Sequence, residues 1–313
     1  MTIHKMSSPD PMSDASSAAT DRHDDSFRKL AEVARLPVAQ GPNPFRTGRQ
    51  PAASRSADTS AGPVPSLRFM PSNSQRVWES LVPVTLDRQR LLGNGVFLHA
   101  SEDPAARAFD MLRTRTLQAM QDHGWRRLAV TSPGPGCGTS LVTANLALSL
   151  ARLTDGRTLA VDLNLRAPGL ARTLALRETQ ALHDVLTGAQ PLEAHALRHG
   201  ETLALALNGK QVADPGACLQ AADTAAALAS MIEYLDPDMA LFDLPPALVA
   251  DDALAVSHAM DAVLLVVDGR RTRPDDIIAC ERLFEGRLPI LGMVLNRAQD
   301  FGLLAHPFRR WQG

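Results

Sequence analysis

Apolar residues gather in six short runs along the last two thirds of the chain. They fall at 128–132 (LAVTS), 158–163 (TLAVDL), 202–207 (TLALAL), 239–244 (MALFDL), 262–268 (AVLLVVD) and 290–296 (ILGMVLN). Runs that are apolar at successive rather than alternate positions predict strands covered on both faces. Helix-period patterns separate them at 139–152, 180–187, 224–235, 251–259 and 274–285, and another at 104–122 precedes the first run. Strand and helix in this alternation predict an α/β domain, a doubly wound and mostly parallel sheet with crossover helices. Residues 1 to about 75 read differently. They are rich in Ser, Pro, Ala, Asp and Arg with little apolar periodicity. Such a segment cannot bury enough surface to offset its ordering entropy, which predicts a disordered arm with one short helix near 25–35. The folded domain is expected over 76–313.

Charge and composition narrow the function classes. The net charge of -2 supplies no basic field of the kind nucleic-acid binders carry, so nucleic acid is not an expected partner. No run of about 18 apolar residues and no apolar N-terminal core of a signal peptide is present, which predicts a cytoplasmic protein. Cys137, Cys218 and Cys280 share no metal-ligand spacing and suggest no disulfide framework. Lysine occurs at Lys5, Lys29 and Lys210 alone.

The candidate chemistry begins after the first strand, in the loop TSPGPGCGTSL of residues 131–141. A Gly-rich turn that enters a helix N-terminus offers backbone N–H groups and a favourable dipole to an anion. Gly134, Gly136 and Gly138 allow close backbone approach. Against the P-loop pattern of Gly, four residues, then Gly-Lys-Ser/Thr, Pro133 takes the first Gly position, Gly138 and Ser140 fit, and Thr139 stands where lysine belongs. That lysine reaches the β- and γ-phosphates, which a short neutral threonine cannot do. Taken alone, the loop is equally readable as a tight turn without a ligand.

Two carboxylates change that balance. Asp162 closes the second run and Asp243 the fourth, at the strand ends where open α/β sheets place their ligands. Either alone reads as a cap or turn residue. Together with the loop they outline a nucleotide site in which Ser140, Asp162 and Asp243 are the candidate Mg²⁺ ligands.

These segments resemble the bacterial tyrosine kinases of capsule and exopolysaccharide synthesis, whose deviant-Walker fold is related to that of chromosome-partitioning ATPases. RAFDMLRTRTLQ is similar to the family's lead-in helix, and TSPGPGCGTSLVTANLALSLAR to its Walker A segment. LAVDLNLRAPGLAR resembles the second Walker motif, ALHDVLTG the short helix after it, and ALFDLPPALVADDALAVSHAMDAVLLVVDGRRTR the Walker B region. LGMVLNRA resembles the last strand. The resemblance covers residues 95–298 or so. It implies ATP and Mg²⁺ as ligands, with Gly134, Gly136, Cys137, Gly138, Thr139 and Ser140 around the phosphates. It also implies catalytic and metal roles for Asp162 and Asp243, and an adenine contact for Asn296. The partner it implies is a membrane polysaccharide co-polymerase acting in trans. That contact would hold the chain peripherally at the inner membrane, with homo-oligomerisation as a further family trait.

The departures point to a degenerate kinase. Besides Thr139, Asn164 stands where the second aspartate of Asp-x-Asp belongs. The subunit-contact motif Glu-x-x-Arg-x-x-Arg reads Arg107-x-x-Asp110-x-x-Arg113. The family's terminal tyrosine cluster is absent, and Tyr234 is the sole tyrosine. The expected role is therefore a regulatory accessory with weak or lost activity. A partitioning-type ATPase and a scaffold that binds no nucleotide are the alternatives.

Overall fold

The computed structural model describes residues 73–99, 103–153, 156–176 and 180–298. The arm and its short helix fall outside these residues, except that 73–75 open the first helix. In chain order come α1 (Asn73–Ser80), β1 (Val82–Pro83), α2 (Arg88–Gly93), α3 (Pro104–His123), β2 (Arg127–Thr131) and α4 (Thr139–Ala151). Then follow β3 (Thr158–Asp162), α5 (Leu170–Thr173), α6 (His183–Leu186), α7 (Leu192–His195), β4 (Leu197–His199) and β5 (Leu203–Ala206). The rest is α8 (Pro215–Gln220), α9 (Ala222–Leu235), β6 (Met239–Asp243), α10 (Asp252–Ala255), β7 (Ala262–Asp268), α11 (Pro274–Phe284) and β8 (Ile290–Asn296).

All six apolar runs form strands, in one sheet ordered β1-β4-β5-β3-β6-β2-β7-β8. Only the β4–β5 pair is antiparallel. The sheet is thus the mostly parallel, doubly wound type expected from the alternation. The two added strands, β1 and β4, span two and three residues and show no fully buried position. Strands that short carry no apolar run to detect.

Alternate side chains feed two cores. Ala129, Leu159, Val161, Phe242, Val263 and Leu265 face one way, towards Leu228 and Met231 of α9 and Ile277 and Phe284 of α11. Leu128, Val130, Ala160, Leu205, Leu241 and Leu264 face the other, towards α4. Helix α4 is buried at every position from Val142 to Leu150, so it lies within the core rather than on the surface. Trp78 fixes α1 to the first layer, donating from Nε1 to the Leu235 carbonyl at 2.6 Å.

This topology positions the site. Strand β2 lies between β6 and β7, and the chain leaves it through α4 towards β3 on one side while β7 and β8 complete the other. The carboxyl ends of β3, β6, β2 and β7 therefore meet at the point where the strand order reverses, the crevice that binds ligands in such sheets.

Candidate functional site

The loop between β2 and α4 is shaped by two glycines in the left-handed region, Gly136 at φ 79° and Gly138 at φ 93°. Gly138 is also crowded. A Cβ there would lie 2.3 Å from Asn296 Nδ2. With Gly138 as N-cap, no side chain caps α4. None of the backbone N–H groups of Gly136, Cys137, Gly138, Thr139 and Ser140 donates to an acceptor among the described residues. Successive donors left open, four of the five on buried or half-buried residues and Gly136 exposed, form an anion cradle.

Side chains around the cradle are committed. Thr139 Oγ1 donates to Ser132 Oγ at 3.1 Å, so the residue in the lysine position turns back to the base of the loop. Cys137 is buried, its Sγ 3.2 Å from the Gly134 carbonyl, which is the packing role its size suggests. Asn296 Nδ2 donates to the Cys137 carbonyl at 2.8 Å, and its Oδ1 accepts from Arg297 N at 2.9 Å. Asn296 thus braces the loop from β8, with both ends of its amide occupied.

Asp162 and Asp243 are register partners on the paired strands β3 and β6. Both are fully buried. Asp243 Oδ2 accepts from Ser140 Oγ at 2.6 Å, joining the carboxylate edge to the start of α4. Ser140 keeps its lone pairs while donating that proton. Asp162 accepts three backbone N–H groups, from Asn164 at 3.1 Å, Gly169 at 3.2 Å and Leu170 at 3.0 Å. These bonds fold the 163–169 loop against the cradle, where a Cβ on Gly169 would lie 2.6 Å from Ser140 Oγ. Asn164 Oδ1 caps the same loop by accepting from Ala167 N at 3.1 Å.

Burial governs the charge of this pair. It pushes Asp162 up to about 7, with the three N–H groups opposing. Asp243 is raised well above the ordinary carboxylate range by burial first and the neighbouring Asp162 charge second, against the hydroxyls of Ser140 and Thr143. Two buried acids and a hydroxyl form an oxygen set of the kind Mg²⁺ prefers. No group of three or more His, Cys, Asp or Glu side chains suited to a metal occurs among the described residues, so phosphate and water would have to complete the shell.

Three residues at this edge were not singled out from sequence. Asp268 ends β7 as Asp162 ends β3, and is buried. Arg297 Nη1 donates to Asp268 Oδ2 at 2.7 Å and to the Gly136 carbonyl at 2.6 Å. Arg271 Nη1 would lie 3.9 Å from a Cβ on Gly136. The Asp268 carboxyl is held below its usual range: burial acts to raise it, but the Arg270 N–H and the Arg297 and Arg271 charges prevail.

No family model matches the chain. It is 27% identical to tyrosine-protein kinase ptk of Acinetobacter johnsonii over 202 residues, 64% of this chain and 27% of that protein. It is 28% identical to tyrosine-protein kinase YwqD of Bacillus subtilis over 188 residues, 59% of this chain and 78% of that one. The BceF tyrosine kinase domain superposes with a TM-score of 0.56 at 26% identity, covering 69% of this chain and 90% of that domain. In sequence and fold the chain is similar to bacterial tyrosine kinases. Its match spans only about a quarter of the length of ptk (27%), whereas it covers 90% of the BceF kinase domain. Asp110 and Arg113, which the resemblance sets against a subunit-contact motif, are engaged inside the molecule. Arg113 Nη1 donates to the Ser149 carbonyl at 3.1 Å, and Asp110 accepts from Ser149 Oγ at 2.7 Å and pairs with Arg152. No described helix is long and apolar enough to cross a membrane.

Proposed function

We propose that this chain binds the phosphates of ATP with Mg²⁺ weakly at the 131–141 loop. On this reading it serves as a regulatory accessory of exopolysaccharide or capsule synthesis rather than as an efficient autokinase. The observation that carries the reading is the row of open N–H groups from Gly136 to Ser140, flanked by the buried acids Asp162 and Asp243. Ser140, Asp162 and Asp243 would hold the metal; Gly134 through Ser140 would surround the phosphates.

The departures weaken catalysis more than binding. The hydroxyl of Thr139 is already spent on Ser132. Losing the lysine removes charge-assisted bonds of about 1.5–3 kcal/mol, on the order of tenfold to a hundredfold in affinity. Asn164, spent on a turn, leaves one carboxylate fewer near the metal. Tyr234, the sole tyrosine of the sequence, sits at the end of α9, just before the β6 strand. A membrane polysaccharide co-polymerase in trans would keep the chain at the inner membrane, and internal pairing of Asp110 and Arg113 argues for a subunit contact unlike that of the kinases.

Calorimetric titration with Mg·ATP tests the reading. Binding in the micromolar to millimolar range, with no phosphotyrosine formed, is the expected result. Submicromolar affinity would contradict the degenerate site, and no heat at millimolar nucleotide would favour a scaffold.

A further inference from the structure

We infer that Arg271, on the turn after β7, supplies the cation that the loop lost with its lysine, and that Arg297 holds the loop in place for it. The inference rests on the reading of residues 131–141 as a phosphate site. It assigns that site a ligand with at least two linked phosphates, since the missing charge is the one that faces the β- and γ-positions.

Arg271 is placed for the task. Its Nη1 lies 3.9 Å from where a Cβ would stand on Gly136, and among the described residues it is the sole atom within 4 Å of that point beyond the adjoining loop residues. The turn that carries it is well fixed. The N–H groups of Arg271 and Thr272 donate to the Asp268 carbonyl at 3.1 and 2.9 Å. Asp268 N in turn donates to Thr272 Oγ1 at 2.9 Å. The guanidinium itself is exposed and makes no hydrogen bond or ion pair among the described residues.

Charge accounting separates the two arginines. Asp268 is already paired with Arg297, whose Nη1 also donates to the Gly136 carbonyl. That carboxylate is thereby matched by a direct pair, and Arg271, which acts on Asp268 only through space, keeps its guanidinium available beside the cradle. Its planar fork also suits a phosphate, which takes two parallel N–H bonds from one guanidinium. Lys210, the one lysine among the described residues, does not compete. It lines a groove with Ala181, His183, Val212 and Cys218, none of which belongs to the loop.

The test is a Mg·ATP titration of wild type, Arg271→Gln, Arg270→Gln, Thr139→Lys and the double variant Thr139→Lys/Arg271→Gln. Arg271→Gln should weaken binding about tenfold or more. Arg270→Gln, a neighbouring exposed charge, should stay within about twofold. The double variant should regain the lost affinity, a rescue that a merely structural role for Arg271 would not produce. If wild type and Arg271→Gln bind alike, the inference is overturned and the phosphate site stands. If wild type is silent while Thr139→Lys binds, no arginine replaces the lysine, again with the site intact. If neither binds, both the site and the inference fall.

Discussion

The two flanks of the 131–141 loop use the same residue type at the same sheet edge to opposite effect. On the β3–β6 side, Asp162 and Asp243 lie side by side with hydroxyls and backbone N–H groups but, among the described residues, no cationic side chain bonded to them, and burial raises both. On the β7–β8 side, Asp268 has little exposed surface but lies much less deep, and is held below the usual range by a backbone N–H, Arg297 and Arg271. An aspartate at a strand end is therefore not a metal ligand by position. The flank short of positive charge is the one that gains from a cation, and the flank that carries arginines is the one that can face an anion.

The largest expected sign of this difference is in the pH dependence of stability. Asp162 stands at about 7 in the fold, against the ordinary carboxylate range when unfolded. Between those values the folded state binds the extra proton, so stability is highest near the lower value and falls as pH rises through the upper one. The span corresponds to about 4 kcal/mol at most. Metal-free urea unfolding from pH 5 to 8 should show this decline in wild type. Asp162→Asn should flatten it, whatever constant penalty the lost acceptor adds. An identical slope in the two proteins would dissolve the contrast.

A smaller effect separates the flanks at fixed pH. At pH 8 without Mg²⁺, Asp268→Asn should cost about 1–3 kcal/mol, because it breaks a charged hydrogen bond to Arg297 that also steadies Gly136. Asp243→Asn should cost little, since burial and the Asp162 charge already disfavour an ionised carboxylate there and the neutral amide can still accept from Ser140. Chemical denaturation at constant pH reads both. Equal losses would mean the two edges are electrostatically alike.

Much of this was legible in the sequence. The six continuous runs reported the buried strands because parallel sheets are covered on both faces. The strands that escaped notice, Val82–Pro83 and Leu197–His199, have too few residues to leave a pattern. At the site, Gly136, Gly138, Ser140, Asp162 and Asp243 stood out by type and spacing. Asp268 offered the same signal as Asp162, an acid at the end of an apolar run, and its place beside the loop follows only from β7 pairing with β2. Arg271 and Arg297 had no spacing to betray them. They meet over Gly136 because β8 pairs with β7, a long-range fact. The hydrogen bond of Thr139 to Ser132, and that of Asn296 to Cys137, likewise depend on rotamers that residue type does not fix.

The central claim is that the N–H groups of residues 136–140 are a phosphate cradle, and the most direct test is an amide NMR titration of the full chain with Mg·ATP. The largest shift changes should fall on Gly136, Cys137, Gly138, Thr139 and Ser140, saturating together with a micromolar to millimolar midpoint. Saturable shifts confined to another surface, or none at the loop at millimolar nucleotide, would contradict it.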